Sequence, residues 1–542
     1  MPQLRGVGHD RSRQAASTHR CGLVERAGDS ALGGWNCPYA PDEPSGNQLI
    51  GNPLVATTST TGGGTNQSDL DRPGRLTGLL AASTRPDSAA TRHLFTSTAF
   101  LGVGSVLWLA SMAAVRFPTL FPISAGRLRP MAAIALFLGW LVLGLAGGVY
   151  YLLPRLTGAS LRAEGLANLA LAAAAGTFGI AIVLVGLGFG DGREPFAIPW
   201  WWDVPVLGIL CVPALVTMGS MGERRESTVY PSLWFMVAGV TWLPVLYLIG
   251  NLPGLRSLAM TLGDLVFTGG FLHVWALGVS TGMAYYVVPK ASGQPLANRQ
   301  LAKVGFWSLL FGAVWIGPVQ LVAGPQPEWL QAVGSVLGLA IPVAAVANAV
   351  NLALTIGPEW KNIGRRPILA SAMAGSVMAA IAGIAAAIAG FRSAAVLVAF
   401  TPFWEGVTYL LVFGAVILLF ASFAWLAIPT LVGRMIDSQA RARKLVRRIT
   451  FSAGGTFLFL VLSGLAAGYG WAGAAYSGLV ENFGEGWAET SGLPSLLFGI
   501  ALLFAALGLL AQLGICLSIY RSLTSGRATI QEVLIGDDGN ES

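Results

Sequence analysis

From Leu94 almost to its C-terminal end, the chain is a succession of long apolar segments nearly free of charge. A helix needs about 20 such residues to cross the hydrocarbon core of a bilayer. Segments of that kind recur near 94–115, 131–153, 166–190, 204–222, 230–250, 265–288, 304–323, 329–357, 367–390, 406–432, 450–473 and 494–520. In lipid every backbone N–H and C=O must be satisfied within the structure, which excludes open strands and predicts twelve helices. Composition points the same way. Only 11% of the 542 residues are charged and the mean hydropathy is +0.64, whereas a soluble chain carries about 25% charge. A soluble enzyme, a nucleic-acid-binding domain and a disordered tail protein are all excluded, so no nucleic-acid partner is expected. The chain reads as an all-α polytopic membrane protein whose first partner is the lipid bilayer.

Residues 1–88 differ from the rest. They are rich in Ser, Thr, Gly, Asp, Asn and Arg, show no apolar period and contain no run long enough for a secretory signal. Such a segment buries too little surface to offset its ordering entropy, so disorder is expected there, or else a translation start further downstream. Residues 89–524 form the predicted transmembrane domain, and 525–542 a short tail. Cys21, Cys37, His9 and His19 of the head fit no metal-ligand spacing, and the four cysteines of the chain form no CxxC pair.

Lys and Arg set the expected orientation. The loops after even-numbered spans hold 16 of them and those after odd-numbered spans hold 6, with Arg434, Arg441, Arg443, Lys444, Arg447 and Arg448 in the richest. Both termini are therefore expected in the cytoplasm, in a bacterial-type inner membrane. Glu481, Glu485 and Glu489 in the last loop read as a solvated acidic face, or less simply as a dock for a basic partner.

Twelve spans suit secondary transporters and the large subunits of respiratory oxidases. A transporter usually carries ionisable residues within its spans, and these spans are almost bare of charge. A redox subunit needs axial histidines. Of four histidines, His9 and His19 lie in the head, His93 starts span 1, and His273 alone lies well inside a span.

Local motifs carry a more specific resemblance. They are Gly126-Arg127-Leu128-Arg129-Pro130 with Phe137-Leu138-Gly139-Trp140, Tyr150-Tyr151-Leu152-Leu153-Pro154-Arg155-Leu156, and Val229-Tyr230-Pro231-Ser232-Leu233-Trp234-Phe235. Further along come Gly282-Met283-Ala284-Tyr285-Tyr286-Val287-Val288-Pro289-Lys290, Trp315-Ile316-Gly317-Pro318, Glu328-Trp329-Leu330-Gln331 and Ile428-Pro429-Thr430-Leu431-Val432-Gly433-Arg434. In order and spacing these motifs resemble subunit I of the haem-copper oxidases, in particular the cbb-type (C-family) cytochrome c oxidases with their nitric oxide reductase relatives, over roughly residues 92–522. The resemblance implies a twelve-helix subunit I bundle, two haems with one copper or iron, and oxygen or nitric oxide reduction. It also implies respiratory membrane subunits as partners, with a cytochrome c or cupredoxin-like subunit among them.

The ligand positions that this resemblance implies hold no histidine. Ala132 stands where span 2 would ligate the low-spin haem, and Gly269 where span 6 would supply a copper ligand. Val319 and Gln320 replace the His pair after Trp-x-Gly-Pro. The Gly-His-Val-His of span 10 reads Gly406-Val407-Thr408-Tyr409, so Val407 and Tyr409 take the histidine places, and the cofactor-tyrosine position falls on Ala313. Val, Ala and Gly have no donor atom for a metal. His273 lies one turn beyond Gly269 and so on nearly the same face. It is expected to be a buried neutral histidine hydrogen-bonded across helices near Gln320, with a residual metal or proton site as the alternative. Tyr409 and Gln320 are expected to fill space left by the porphyrins, while Asp264 and Glu405 are expected at helix ends within reach of water.

No haem, copper, catalytic residue or metal ligand is therefore expected. The primary expectation is a redox-silent scaffold, assembly or regulatory component of a respiratory complex. The alternatives are an active oxidoreductase with a different ligand set, and a transporter or channel using the emptied cavities. The candidate cavity residues are Ala132, Gly269, His273, Val319, Gln320, Val407 and Tyr409.

Overall fold

The computed structural model describes residues 87–433, 438–476 and 491–524. The head with its Cys21, Cys37, His9 and His19, Arg434, the three glutamates of the last loop and the tail lie outside the described residues. Among the described residues the chain is all helical, and twelve helices are long and apolar enough to cross a membrane. Span 1 is Ser88–Arg116, span 2 Ala125–Thr157, span 3 Glu164–Leu187 and span 4 Trp200–Gly222. Span 5 is Pro231–Gly250, span 6 Ser257–Ser292, span 7 Arg299–Leu321 and span 8 Glu328–Arg365. Span 9 is Pro367–Ala389, span 10 Pro402–Val432, span 11 Gln439–Ala472 and span 12 Gly492–Ser522.

The number of helices agrees with the sequence reading, and most of the differences lie at their ends. Span 11 begins at Gln439 rather than near 450, so Arg441, Arg443, Lys444, Arg447 and Arg448 are already helical. Charge marks where hydrocarbon ends, not where a helix ends. At 1.5 Å per residue, 34 residues reach about 50 Å, well beyond a hydrocarbon layer of about 30 Å. Leu445, Val446 and Ile449 keep that projecting part packed on the bundle.

Consecutive spans are neighbours, and span 12 packs back against span 1 to close the ring. Spans 2, 6 and 10 meet one another in the middle. Their centres are apolar on all sides, as a helix with no lipid-facing or solvent-facing stripe must be. Each also carries a π-helical segment, Ile134–Val142, Phe271–Gly278 and Leu410–Val416 respectively.

Aromatic rings fill much of that centre. A continuous series of ring contacts runs Tyr409–Phe413 (4.7 Å), Phe413–Trp108 (5.7 Å), Trp108–Phe137 (6.5 Å) and Phe137–Phe271 (5.7 Å). It continues through Phe267 (5.7 Å) to Tyr247 (5.6 Å). Such pairs add about 0.5–1.5 kcal/mol each beyond the area they bury. Gly139 lets spans 1 and 2 approach within this layer, since a Cβ there would overlap the Phe100 ring.

Polar groups are used sparingly, to fix ends. Glu164, almost fully buried, accepts hydrogen bonds from the Ser88 hydroxyl (2.7 Å) and the Ala89 N–H (2.9 Å), capping span 1 from span 3. Between spans 6 and 8, the Tyr285 hydroxyl donates to Asn348 Oδ1 (2.8 Å). Asn351 holds the entry to span 7 through Asn298 N–H (3.0 Å) and C=O (2.8 Å).

Candidate functional site

One cavity of about 440 Å³ lies at the end of the bundle that carries the loops after spans 3 and 5. Its walls come from spans 1, 2, 6, 7, 9 and 10 and from the loop Gly192–Pro195. Trp108, Phe137, Leu272, Ile316, Val407 and Leu411 make it chiefly apolar. Two ion pairs stand among the residues lining its outer part. Arg193 Nε lies 2.8 Å from Asp264 Oδ1, both side chains being mostly covered (16% and 13% exposed), so the pair joins the loop before span 4 to span 6. Arg129 of span 2 faces Glu405 of span 10 at 3.6 Å. Asp264 and Glu405 are thus partnered and largely shielded, not simply open to water. Span 6 starts at Ser257, two turns before Asp264, which draws that carboxylate inward.

Just outside the spans, Asp191 sits beside Arg193 and accepts its backbone N–H at 2.9 Å. Partial removal from water raises the Asp191 carboxyl above its ordinary value, and the Arg193 N–H and charge offset this only in part. Deeper in, the Thr268 hydroxyl is spent on the Asp264 carbonyl (2.8 Å).

His273 lies at the cavity wall, 8% exposed. Its Nδ1–H donates to the Gly269 carbonyl at 2.9 Å, along its own helix and not across to Gln320 as expected. That bond leaves Nε2 as the lone-pair nitrogen. The neighbouring span 7 ends in a tight 3-10 turn, Pro318–Leu321, which puts Gln320 on the cavity wall while Val319 turns away. Val319 is buried instead with Val322 and Ala395. Of the seven candidate residues, Gly269, His273, Gln320 and Val407 line the cavity, and Ala132, Val319 and Tyr409 do not.

Tyr409 is a correction with a simple cause. Residues two apart on a helix point about 200° apart, so Val407 and Tyr409 cannot face one space. The Tyr409 phenol faces spans 11 and 12, where Thr456 and Gln512 are its hydrogen-bond partners. Gln320 does border the cavity, and the Tyr409 ring is one end of the aromatic series that fills the central volume, although its phenol oxygen turns away. Ala132 is fully buried, and its neighbour Ala133 reaches the cavity. His93 lies remote from the cavity wall, donating Nδ1–H to the Ala89 carbonyl (2.8 Å) with its ring edge-on to Tyr150.

Whether this interior suits the haems and copper implied by the resemblance is tested at Gly269. A Cβ there would come 2.8 Å from the Gly317 nitrogen and 3.0 Å from its α-carbon. A Cβ on Gly317 would run into the Leu265 carbonyl. Spans 6 and 7 therefore cross backbone to backbone where the copper ligands would project, and no imidazole fits between them. Among the described residues no group of three His, Cys, Asp or Glu side chains converges as a metal site. His273 alone does not make a coordination set, so the residues present do not fit those groups.

Arg193 and Trp108 belong to the site without having been singled out as candidates. Arg193 had one visible signal: it is the only Lys or Arg in the loop after span 3. Trp108 had none, because an apolar helix of span 1 presents many equivalent positions.

Comparison with known proteins agrees with this architecture. The family described as cytochrome c and quinol oxidase polypeptide I matches residues 88–503. The Cbb3-type cytochrome c oxidase subunit CcoN1 of Stutzerimonas stutzeri is 26% identical over 259 residues, covering 45% of this chain and 54% of that protein. A cytochrome c oxidase subunit 1 homolog, bacteroid, of Bradyrhizobium diazoefficiens is 25% identical over 264 residues, 46% of this chain and 47% of the relative. The chain thus spans about half the length of these curated relatives. A heme-copper terminal oxidase dimer solved by cryo-EM contains a chain of the same fold, with a TM-score of 0.66 at 14% identity over 81% of this chain and 84% of that one. By the extent of the family match and the shared twelve-span bundle, the chain belongs to the cytochrome c and quinol oxidase polypeptide I family.

Proposed function

We propose that this membrane-embedded family member is redox-silent, binding neither haem nor copper, and serves a respiratory complex as a scaffold, assembly or regulatory subunit. The observation that carries this reading is the crossing at Gly269 and Gly317, where backbones occupy the space a copper ligand would need. The absence of imidazole from Ala132, Val319, Gln320, Val407 and Tyr409 supports it, since Ala, Val and Gln are not haem ligands of the usual kind and the Tyr409 phenol is turned toward Thr456 and Gln512. A twelve-span bundle keeps extensive apolar flanks for neighbouring subunits even when its chemistry is gone. On this reading its partners are other membrane subunits, with both chain ends on the cytoplasmic side of a bacterial inner membrane, as the Lys and Arg distribution favours.

The test is a pyridine haemochrome assay with a reduced-minus-oxidised spectrum and copper and iron analysis on the purified full-length protein. Haem and metal well below one per chain are expected. One or two haems per chain would overturn the proposal and favour an active oxidoreductase with a different ligand set.

A further inference from the structure

The cavity has polar groups that the protein itself leaves unused. His273 Nε2 is a lone-pair acceptor, because Nδ1–H is committed to Gly269. Gln320 and Thr408, from spans 7 and 10, line the same space, and neither side chain has a hydrogen bond among the described residues. Trp108 is 5% exposed and its indole N–H is buried without a partner. Polar groups at membrane depth are costly unless satisfied, and these four stand on four different spans around one cavity.

The remaining features restrict the ligand. The cations Arg129 and Arg193 already face Glu405 and Asp264, so each has its countercharge, and the one unpartnered Arg193 nitrogen, Nη2, belongs to that outer ion pair. Glu194 on the rim further disfavours an anion. The other walls are aromatic and aliphatic. At about 440 Å³ the space falls within the range of small-molecule sites. From Asp264 to His273 is nine residues of one helix, roughly 13 Å, so the imidazole lies well below that carboxylate, whereas Thr408 lies one turn beyond Glu405.

Resting on the reading that no haem occupies this volume, we infer that the cavity is a binding site for an uncharged, hydroxyl-bearing aromatic molecule, a phenol in the broad sense. Its hydroxyl donates to His273 Nε2 and accepts from a neighbouring donor such as Thr408 or Gln320, and its ring lies against Trp108 and Phe137. The geometry requires no reaction; it is a recognition site.

The experiment uses the full-length protein in nanodiscs, with equilibrium dialysis of 2-naphthol, 2-methoxynaphthalene and 2-naphthoate against protein-free nanodiscs. Saturable binding of one 2-naphthol per chain is expected, at least tenfold tighter than the methyl ether or the carboxylate. His273→Leu should lower naphthol affinity to that of the ether and leave the ether unchanged. Thr408→Val, isosteric and gentler, should narrow the difference between naphthol and ether. Equal binding of naphthol and ether to the unmodified protein, tighter binding of naphthoate, or no change in His273→Leu would overturn the inference. The haemochrome assay on the same preparation separates the two failures. Haem in the sample refutes the redox-silent reading, whereas a haem-free protein without hydroxyl selectivity refutes only the ligand.

Discussion

Gly269 of span 6 and Gly317 of span 7 touch through their backbones, with 2.8 Å between a would-be Cβ on Gly269 and the Gly317 nitrogen. Backbone cannot move aside as a flexible side chain can, so even one methyl group must push two spans apart. Gly269→Ala is expected to cost about 1–3 kcal/mol, the usual range for overpacking. Gly269→His, which restores the residue type expected at this place in the family, should lose the folded protein and not gain copper. Thermal unfolding scans and size-exclusion profiles check both. A stable, monodisperse Gly269→His protein that binds copper would contradict the crossing.

Glu164 holds the first turn of span 1 from the start of span 3, through the Ser88 hydroxyl and the Ala89 N–H. Glu164→Ala leaves that buried N–H without an acceptor and should cost about 1–2 kcal/mol, as the loss of a helix cap does. Glu164→Gln keeps an acceptor oxygen and loses only the favourable charge at a helix N-terminus, so its cost should be about half that or less. The order of unfolding midpoints, unmodified above Gln above Ala, is the readout. Equal midpoints for Gln and Ala would show that charge, not the hydrogen bond, holds the turn.

The helix number, their order and the subunit I architecture are legible in the sequence because lipid leaves so few alternatives. That Ala132 and Gly269 stand where the resemblance implies histidines is read directly from the sequence. The side-chain directions required more. Val407 and Tyr409 stand two residues apart and so point to opposite sides, a relation helical geometry contains but a motif comparison ignores. Arg193 and Asp264 are 71 residues apart and join only when the loop before span 4 folds over the mouth of span 6. No local pattern announces that. The Gly269–Gly317 crossing was hidden for another reason: one glycine reads as a ligand position without its histidine and the other as part of a Trp-x-Gly-Pro motif, and only the folded backbone shows that they meet.

Asp191 provides a test by pH. Its carboxyl is raised in the folded state, chiefly by partial burial, so the folded protein holds this proton more tightly than the unfolded chain. The stability it lends is present below the unfolded value and is lost as pH rises through the folded one. Asp191→Asn should remove that dependence. Unfolding midpoints of the two proteins, followed upward from about pH 4, should diverge in favour of the Asn variant, with the difference levelling off once the carboxyl has ionised. A constant difference across the range would mean that Asp191 contributes only its hydrogen bond to the Arg193 N–H.

The Arg193–Asp264 pair combines the cost and the use of charge at this site. Arg193 Nε is bonded to Asp264, but its Nη2 is buried without a partner, so the guanidinium depends on one carboxylate for most of its compensation. Asp264→Ala strands the cation and should destabilise by about 2–4 kcal/mol, somewhat under the 3–5 kcal/mol typical of a fully buried pair because both groups keep some exposure. Removing both charges in Arg193→Met with Asp264→Leu should cost much less than Asp264→Ala alone, since no unpaired ion remains. A double-mutant cycle on unfolding midpoints measures this directly. If the double variant is as unstable as the sum of its single changes, the two groups act independently and the rim of the cavity is held by packing. If it recovers most of the loss, the pair acts as a unit joining the loop before span 4 to span 6.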